Sequence, residues 1–338
     1  MSDSAELPST GWRSWHLHVD TFAPVALDDV VTQVIGPLAD EMGLHQSDGP
    51  RWFFIRYWLG GPHVRLRIAD LTESQADWVE ASLAARLHQI DAALPRSRRL
   101  TQADYERVVD PMVKAGEGGV PVAAGKLVPP GVQRATYEPE YQRYGGRHLM
   151  PASERLFHHS SRVALSVCQA RAGTRHGLAS GMEATAAACS ALEGGASPVS
   201  QRDFLTAQRD MWLRWAQPKD SSADHSAEAI RALTEVARKQ CLALGTFASS
   251  LSDSLRQGDP RWAAWTDPLR SALRAWTAEL GTARAIGIFG SQVHMTANRL
   301  GVGAGREAHV AALLLALLDS AAAGKPPIRK NQLGPITD

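Results

Sequence analysis

The chain has 338 residues, 44% of them hydrophobic, and its 36 Lys and Arg against 35 Asp and Glu give a formal net charge of +1. This length and composition predict a sizeable hydrophobic core, organised as one large domain or as two sub-domains. The balanced charge excludes a broad basic field for nucleic acid or anionic lipid, so any anion must be recognised locally.

The three cysteines, Cys168, Cys189 and Cys241, are scattered and have no C-x-x-C spacing. This pattern is typical of a reducing cytoplasm and argues against a disulfide framework or a structural zinc site. No basic-then-apolar leader opens the chain, and the longest apolar run, 310–318, is far shorter than the roughly 20 residues that span a bilayer. We therefore expect a cytoplasmic protein with no membrane segment.

The predicted elements change character near residue 150. Before this point strand-like runs lie at 12–19, 52–58 and 63–68, helical patterns at 27–42 and 73–94, and a Gly- and Pro-rich irregular segment with short strands at 104–136. After it, helices are predicted at 151–172, 181–192, 200–216, 224–256, 266–280, 282–299 and 304–322. The polar tail at 323–338 is expected to fray.

Together these elements predict an α+β fold. A mixed α/β part, 12–150, carries a small sheet that packs on a mostly helical part, 151–322. None of the linkers is long or simple enough in composition to separate independent domains, so we expect 1–338 to form a single unit.

A row of basic residues, His63, Arg65 and Arg67, stands at alternate positions after the turn sequence Gly60-Gly61-Pro62. Because side chains alternate between the two faces of a strand, the apolar residues between them enter the core while the three basic groups project together. With the aromatic run at 52–58, the segment predicts a β-hairpin. The row could bind an anion, or it could face solvent and protect a sheet edge.

An arginine, Arg143, precedes a Gly-Gly turn just before the helix predicted at 151. A guanidinium in this position can be held rigidly and aimed at a ligand, with the helix N-terminus adding partial positive charge. The alternative is that Arg143 braces the loop by pairing with Glu138 or Glu140.

A third polar group lies in the predicted helix 282–299. His294 and Asn298 share one helical face, and Met295 and Arg299 form the adjacent stripe. Among these, the histidine can move a proton near neutral pH without a large pKa shift. The alternative is a packed, hydrogen-bonded core histidine.

Taken in order, these segments resemble a known family. The motifs are R-Y-x-x-x-x-x-H-x-R-x-R from Arg56, Y-x-x-E-x-x-R-Y-G-G from Tyr137 with a following E-x-x-F from Glu154, and H-M-x-x-N-R-L-G from His294. They look like the C-terminal domain of class I lanthipeptide dehydratases, which also occurs as stand-alone proteins in thiopeptide pathways. The resemblance covers about 12–322, without the upstream glutamylation domain of the full-length dehydratases.

The resemblance implies that the chain eliminates glutamate from glutamylated Ser or Thr side chains, leaving dehydroalanine or dehydrobutyrine. It assigns catalysis to Arg65, Arg67, Arg143 and His294, and substrate binding to His63, Tyr144, Asn298 and Arg299. It does not decide whether His294 acts as base or acid, and of the binding residues His63 is expected to be a structural or orienting neighbour. No metal or organic cofactor is implied.

The same resemblance implies the partners. They are a precursor peptide with a leader and a separate protein that glutamylates it from glutamyl-tRNA; the chain itself is expected to bind neither nucleic acid nor membrane. The leader is expected to dock on a sheet edge or groove of the N-terminal part. The sequence is compatible with a homodimer but does not predict one.

Two departures from the family pattern keep alternatives open. Leu59-Gly60-Gly61-Pro62 stands where the dehydratases usually have an acidic Asp-Pro element, and His158-His159-Ser160-Ser161 stands where they tend to have Asp-Ser. A sister branch forms the central pyridine of thiopeptides by a [4+2] aza-cycloaddition, a reaction that the 10 tryptophans would suit. The third hypothesis is a non-catalytic subunit that binds the leader peptide.

Overall fold

The N-terminal part of the chain builds a four-stranded antiparallel sheet. The computed structural model describes residues 11–23, 25–46, 48–115, 122–174, 176–217 and 223–322. The strands are β1 (Trp12–His18), β2 (Trp52–Tyr57), β3 (His63–Ala69) and β4 (Gly131–Ala135), in the order β2-β3-β1-β4. The predicted hairpin is confirmed as β2 and β3, joined through Gly60 and Gly61, which both have positive φ.

Helices of the N-terminal part pack beside this sheet. They are α1 (Ala26–Asp29), a π-helical stretch (Val30–Ile35), α2 (Gly36–Glu41), α3 (Glu73–Ala93) and α4 (Gln102–Ala115). Thr72 is the N-cap of α3 and forms a capping box with Gln75. The Thr72 hydroxyl accepts a hydrogen bond from the Gln75 backbone amide, and the Gln75 side chain accepts one from the Thr72 backbone amide.

The C-terminal part is helical, as predicted. Its helices are α5 (Met150–Ala170), α6 (Gly177–Ser190), α7 (Gln201–Ala216), α8 (Ala223–Ala243), α9 (Thr246–Gln257), α10 (Ala263–Leu280), α11 (Thr282–Arg299) and α12 (Ala304–Ala322). With the sheet, they confirm the α+β class. Among the described residues no single helix is long and apolar enough to cross a membrane, although α11 and α12 meet the criteria as a pair bent by 110°.

Two predicted elements were wrong. The segment 104–136 is not irregular throughout, because α4 occupies its first part: Thr101 caps the helix by accepting from the Asp104 amide, and Tyr105 and Val109 bury one face. The predicted helix 224–256 is two helices, since Gly245 adopts a positive φ between α8 and α9. The predicted frayed tail at 323–338 lies outside the described residues.

The sheet places its two faces in different surroundings. Val64, Leu66 and Ile68 are fully buried on one face, as the alternation predicts, and the basic residues of β3 lie on the other. A single hydrophobic cluster extends from Trp12 to Leu317 and includes both parts of the chain. This continuity supports the proposal of a single unit. The three cysteines are free and buried.

The edge strand β2 is covered by side chains in place of another strand. The Trp52 and Phe54 amides donate to His158 Nδ1 and Ser161 Oγ, each at 3.2 Å. The Arg56 amide donates to Asn298 Oδ1 at 2.8 Å, and Asn298 Nδ2 donates back to the Arg56 carbonyl at 2.9 Å. These bonds tie the sheet to α5 and α11 and satisfy an edge that would otherwise invite strand addition.

Candidate active site

A cavity of about 1450 Å³ lies between the basic face of the sheet and the helices α7 and α11. It brings together residues from segments more than 200 positions apart. Of the predicted site residues, those that line it are Arg65, Arg67, Arg143, Tyr144, His294, Asn298 and Arg299. His63 does not line it.

The strand register fixes Arg65 and Arg67 on the cavity wall. Both arginines lie on the same face of β3, and aromatic rings support them from neighbouring elements. The Arg65 guanidinium lies 3.5 Å from the centroid of the Tyr57 ring, and that of Arg67 lies 4.8 Å from the Tyr137 ring. Such cation–π contacts hold the guanidinium planes while leaving their donor edges available to a ligand.

The cavity carries more positive charge than the described carboxylates that line it can balance, although the field of Glu140 reaches Arg65 and Arg67. Arg67 is 7% exposed and Arg299 fully buried, and neither forms an ion pair with a described residue; the same is true of Arg65. Arg67 Nε and both terminal nitrogens of Arg299 have no hydrogen-bond partner among the residues that the structure describes. Burial lowers the pKa of Arg65 and Arg67 to about 10 and that of Arg299 to about 9, so all three stay charged at neutral pH.

Arg143 combines the two roles that the sequence left open. It donates to Glu140 Oε2 at 3.0 Å, which is the loop-bracing contact, and through Nε to Ser291 Oγ at 3.1 Å while lining the cavity. The Gly145-Gly146 turn behind it needs glycine, because both residues have positive φ.

Tyr144 marks the point where the cationic groups converge. It is almost completely buried, and burial raises the pKa of Tyr144 to about 12 against the opposing fields of Arg143, Arg299 and Arg67. Its hydroxyl therefore stays protonated at neutral pH and can donate a hydrogen bond.

His294 is held between an acid and an aromatic ring. Its Nδ1 lies 2.6 Å from Glu307 Oε1, and its ring centroid lies 4.6 Å from that of Trp212. The histidine side chain is 20% exposed and that of Glu307 is 7% exposed. The pKa of Glu307 is raised overall because burial outweighs the opposing effects of the adjacent His294 and the field of Arg143. Sequence reasoning missed Glu307, which lies on the following helix.

Residues 12–318 match the family described as lantibiotic biosynthesis dehydratase C-term. The chain belongs to this family. Membership confirms the resemblance on which the site was predicted and places the chain among enzymes that mature ribosomally made peptides.

Solved structures share the fold of this dehydratase-family chain. The pyridine synthase TbtD from thiomuracin biosynthesis matches with a TM-score of 0.64 and 15% identity, over 93% of this chain and 99% of TbtD. The tRNA-dependent lantibiotic dehydratase MibB from Microbispora sp. 107891 matches with a TM-score of 0.54 and 22% identity, over 96% of this chain and 29% of MibB. TsrL matches with a TM-score of 0.59 and 16% identity, over 92% of this chain and 95% of TsrL. A comparison with curated proteins gave no significant match.

His63, which the sequence assigned to substrate binding, is buried behind Arg65. The Arg65 Nε donates to His63 Nε2 at 3.1 Å, so His63 carries its proton on Nδ1, which donates to the Gly61 carbonyl at 2.8 Å. Burial lowers the pKa of His63 to about 2, which keeps the ring neutral. We therefore reassign His63 to orienting Arg65. Asn298 lines the cavity, but its amide is engaged with β2, so we assign it a structural role as well.

Two groups of side chains have the composition of a metal site. In the first, one ring nitrogen each of His16, His18 and His63 lies within 4.8 Å of the others, and His18 Nδ1 has no hydrogen-bond partner in the described part of the chain. Both nitrogens of His63 are already hydrogen-bonded, and the Arg65 guanidinium beside them opposes a divalent cation. These residues therefore do not fit a metal ion while Arg65 keeps this position.

The second group is Asp28, Cys168 and His176. Arg56 occupies it, with Nη1 2.7 Å from Asp28 Oδ1 and Nη2 3.7 Å from Cys168 Sγ. Burial raises the pKa of the Cys168 thiol to about 11, whereas a metal ligand would be the thiolate. The guanidinium thus takes the place that a cation would need.

All the tryptophans except the exposed Trp78 lie in the core or line the cavity. Six of the 10 are buried in the core, at Trp12, Trp15, Trp52, Trp262, Trp265 and Trp276. The cavity is lined by Trp58, Trp212 and Trp215. The high tryptophan content is therefore mostly a packing feature.

Proposed function

We propose that this chain eliminates glutamate from glutamylated Ser and Thr side chains of a ribosomally made precursor peptide, leaving dehydroalanine or dehydrobutyrine. The observation that carries this proposal is the set of cavity arginines, Arg65, Arg67 and Arg299, that have no carboxylate partner among the described residues. Surplus buried positive charge fits an anionic group that arrives with the substrate, and guanidinium forks bind carboxylates in bidentate fashion.

The chemistry requires one proton to be removed and one carboxylate to leave. A base takes the proton from Cα, the C–H electron pair becomes the Cα=Cβ bond, and the Cβ–O bond breaks to release glutamate as a carboxylate. Negative charge develops on the neighbouring peptide carbonyl and on the leaving oxygen. Arg143 and Tyr144 line the same cavity as His294, where their guanidinium and hydroxyl groups can stabilise that charge.

The size of the cavity supports a peptide substrate. At about 1450 Å³ it exceeds the roughly 300–1000 Å³ of typical small-molecule pockets, which leaves room for the glutamylated residue and its neighbours. The proposed partners are the precursor peptide and a separate glutamylating protein. Since β2 is covered by α5 and α11, leader docking by strand addition would use β4.

Pyridine synthesis is the second candidate. The observation that favours it is the aromatic part of the cavity wall, Trp58, Trp212 and Trp215, which could align two alkenes. Cycloaddition between two neutral dehydroalanines gives no reason for unpaired buried arginines, so we rank it below elimination.

Mass spectrometry of the purified protein with two substrates separates the candidates. One substrate is a peptide glutamylated on Ser, and the other is the same peptide already dehydrated. We expect loss of glutamate from the first and no change in the second. Cyclisation of the second with release of the leader would identify a pyridine synthase, and binding without conversion of either would identify a non-catalytic subunit.

Variants of two cavity residues test the assignment of catalysis. Arg143→Ala and His294→Ala should each slow elimination by about 10²-fold or more and accumulate glutamylated peptide, with peptide binding retained. Arg147→Ala and His309→Ala are the matched controls, because Arg147 follows the same Gly-Gly turn and His309 lies on α12, and neither lines the cavity. Full activity of both cavity variants would reject an elimination enzyme built on these residues.

A further inference from the structure

Glu307 is a buried acid that pairs with one described residue, His294. Its Oε1 lies 2.6 Å from His294 Nδ1, and no other described residue forms a hydrogen bond or ion pair with this carboxylate. The pair links α11 to α12 across the back of the cavity wall. A buried carboxylate destabilises the folded protein unless it is paired. The position of Glu307 is therefore best explained by its contact with His294.

We propose that Glu307 is a positioning residue that keeps the proton of His294 on Nδ1, so that Nε2 is free to act as the base toward the substrate Cα. The inference rests on the proposed elimination and assigns the role of His294 that the sequence left open. A carboxylate accepts a hydrogen bond and cannot donate one, so the neutral imidazole next to it must carry its proton on Nδ1.

The surroundings of the pair support this arrangement. Burial raises the pKa of Glu307, and the charge and hydrogen bond of His294, with the field of Arg143, oppose that rise. The contact to His294 Nδ1 at 2.6 Å is therefore what favours the ionised carboxylate. The Trp212 ring, at 38° to the imidazole and 4.6 Å from it, opposes rotation of the histidine. With Nδ1 turned to the buried acid, the opposite edge of the ring, which carries Nε2, is the edge left for the cavity.

The proposal defines what each group does during the reaction. The proton from Cα bonds to Nε2, giving an imidazolium with both nitrogens protonated, while the freed electron pair forms the double bond and glutamate leaves. Glu307 stays ionised throughout and stabilises the imidazolium by its charge. It does not touch the substrate.

Whether Glu307 acts through His294 is tested by the kinetics of Glu307→Gln, measured alone and in combination with His294→Ala. We expect kcat to fall by about 10²-fold with KM nearly unchanged, and the midpoint of the kcat–pH profile to move to lower pH because the imidazolium loses its counter-charge. In the His294→Ala background the second substitution should have no further effect. An equal loss in that background, or a rise in KM alone, would overturn the proposal.

Glu183→Gln is the matched control. It also neutralises a buried helical glutamate, but the partner of Glu183 is Arg171, at 2.8 Å, which does not line the cavity as His294 does. It should leave kcat and the pH profile unchanged even if the protein melts at a lower temperature. Thermal melts of all variants identify any that fail to fold.

A measurement independent of turnover separates this proposal from the proposed function. Nitrogen-15 NMR of labelled histidine, assigned by comparison with His294→Ala, should show His294 protonated on Nδ1 in the wild type and a loss of that preference in Glu307→Leu. A wild-type ring protonated on Nε2 would overturn the positioning role. If the wild type fails to eliminate glutamate yet shows the Nδ1 form, the reaction assignment fails and the pairing stands.

Discussion

Burying a guanidinium without a carboxylate partner costs several kcal/mol of stability, and both Arg67 and Arg299 are buried in this way. Neighbouring aromatic rings recover part of that cost, since Arg67 lies against Tyr137 and Arg299 lies 5.5 Å from the Phe157 ring. A fold selected for stability alone would have apolar residues at these positions. The charges therefore point to a ligand that neutralises them when it binds.

Arg67→Met should consequently separate stability from activity. We expect the free energy of unfolding to rise by about 1–3 kcal/mol, because a flexible apolar side chain of similar length removes the buried charge. Elimination should fall by about 10²-fold or more. Chemical denaturation and the glutamylated-peptide assay measure the two quantities.

Arg202→Met supplies the contrast to this variant. Arg202 lies on α7, does not line the cavity, and pairs with Asp319. Its replacement should keep activity and gain no stability. A loss of stability in Arg67→Met with retained activity would make Arg67 a structural residue.

Single residues differ in how far the sequence could predict them. Arg65 and Arg67 followed from strand alternation, which is local, and their positions on the cavity wall agree with it. The burial of His63 behind Arg65 depends on the packing of β1 and was not predictable from the same alternation. Glu307 lies on a second helix, and only the packing of α12 on α11 places it against His294.

At the scale of elements, the covered edge of β2 explains one departure from the family pattern. In His158-His159-Ser160-Ser161, the first and last residues lie three positions apart on α5 and reach the Trp52 and Phe54 amides. Asn298 on α11 continues the row at Arg56. These contacts use side chains of two distant helices, so periodicity predicts the helices but not their attachment to the strand.

Two buried histidines, His18 on β1 and His63 on β3, predict that the stability of the protein depends on pH. His18 and His63 are almost fully buried, and burial is the main cause that lowers the pKa of His18 to about 4 and of His63 to about 2. Both stay neutral in the folded state while the unfolded chain takes up protons below about pH 6.5. Stability should therefore be complete above pH 6.5 and decrease as the pH falls toward 5.

His18→Asn tests this prediction by removing one of the two groups. Between pH 6.5 and 5 the slope of unfolding free energy against pH should decrease by up to about 1.4 kcal/mol per pH unit. Urea denaturation at several pH values measures the slope, and replacement of the exposed His88 on α3 is the matched control. An unchanged slope in His18→Asn would mean that His18 is protonated in the folded protein.

For the whole molecule, the sequence predicted the order and type of most elements because periodicity and capping are local. It did not predict α4 or the break at Gly245, where a cap and a single positive φ decide the structure. The cavity was only partly predictable. Motif order suggested that β3, the Arg143 loop and α11 belong to one site, whereas the contribution of Trp212 from α7 depends on how the helical part packs.

The surplus positive charge of the cavity predicts that a bound anion stabilises the folded protein as a whole. A ligand that binds only the folded protein raises the free energy of unfolding by RT ln(1 + [L]/Kd), about 2.7 kcal/mol at a concentration of 100 Kd. Free glutamate, the proposed leaving group, should therefore raise the melting temperature of the wild type in a concentration-dependent manner. Glutamine has nearly the same shape but lacks the second carboxylate, so at equal ionic strength it should have little effect.

The Arg67→Met variant shows whether this stabilisation comes from the cavity. Without the buried guanidinium, glutamate should lose most of its effect, although the variant itself melts at a higher temperature. Thermal melts in a glutamate series, with sodium chloride to match ionic strength, make the comparison. An equal response of wild type and Arg67→Met would show that the buried arginines do not form a carboxylate site. An equal response to glutamate and glutamine would show that they do not bind the side-chain carboxylate of glutamate.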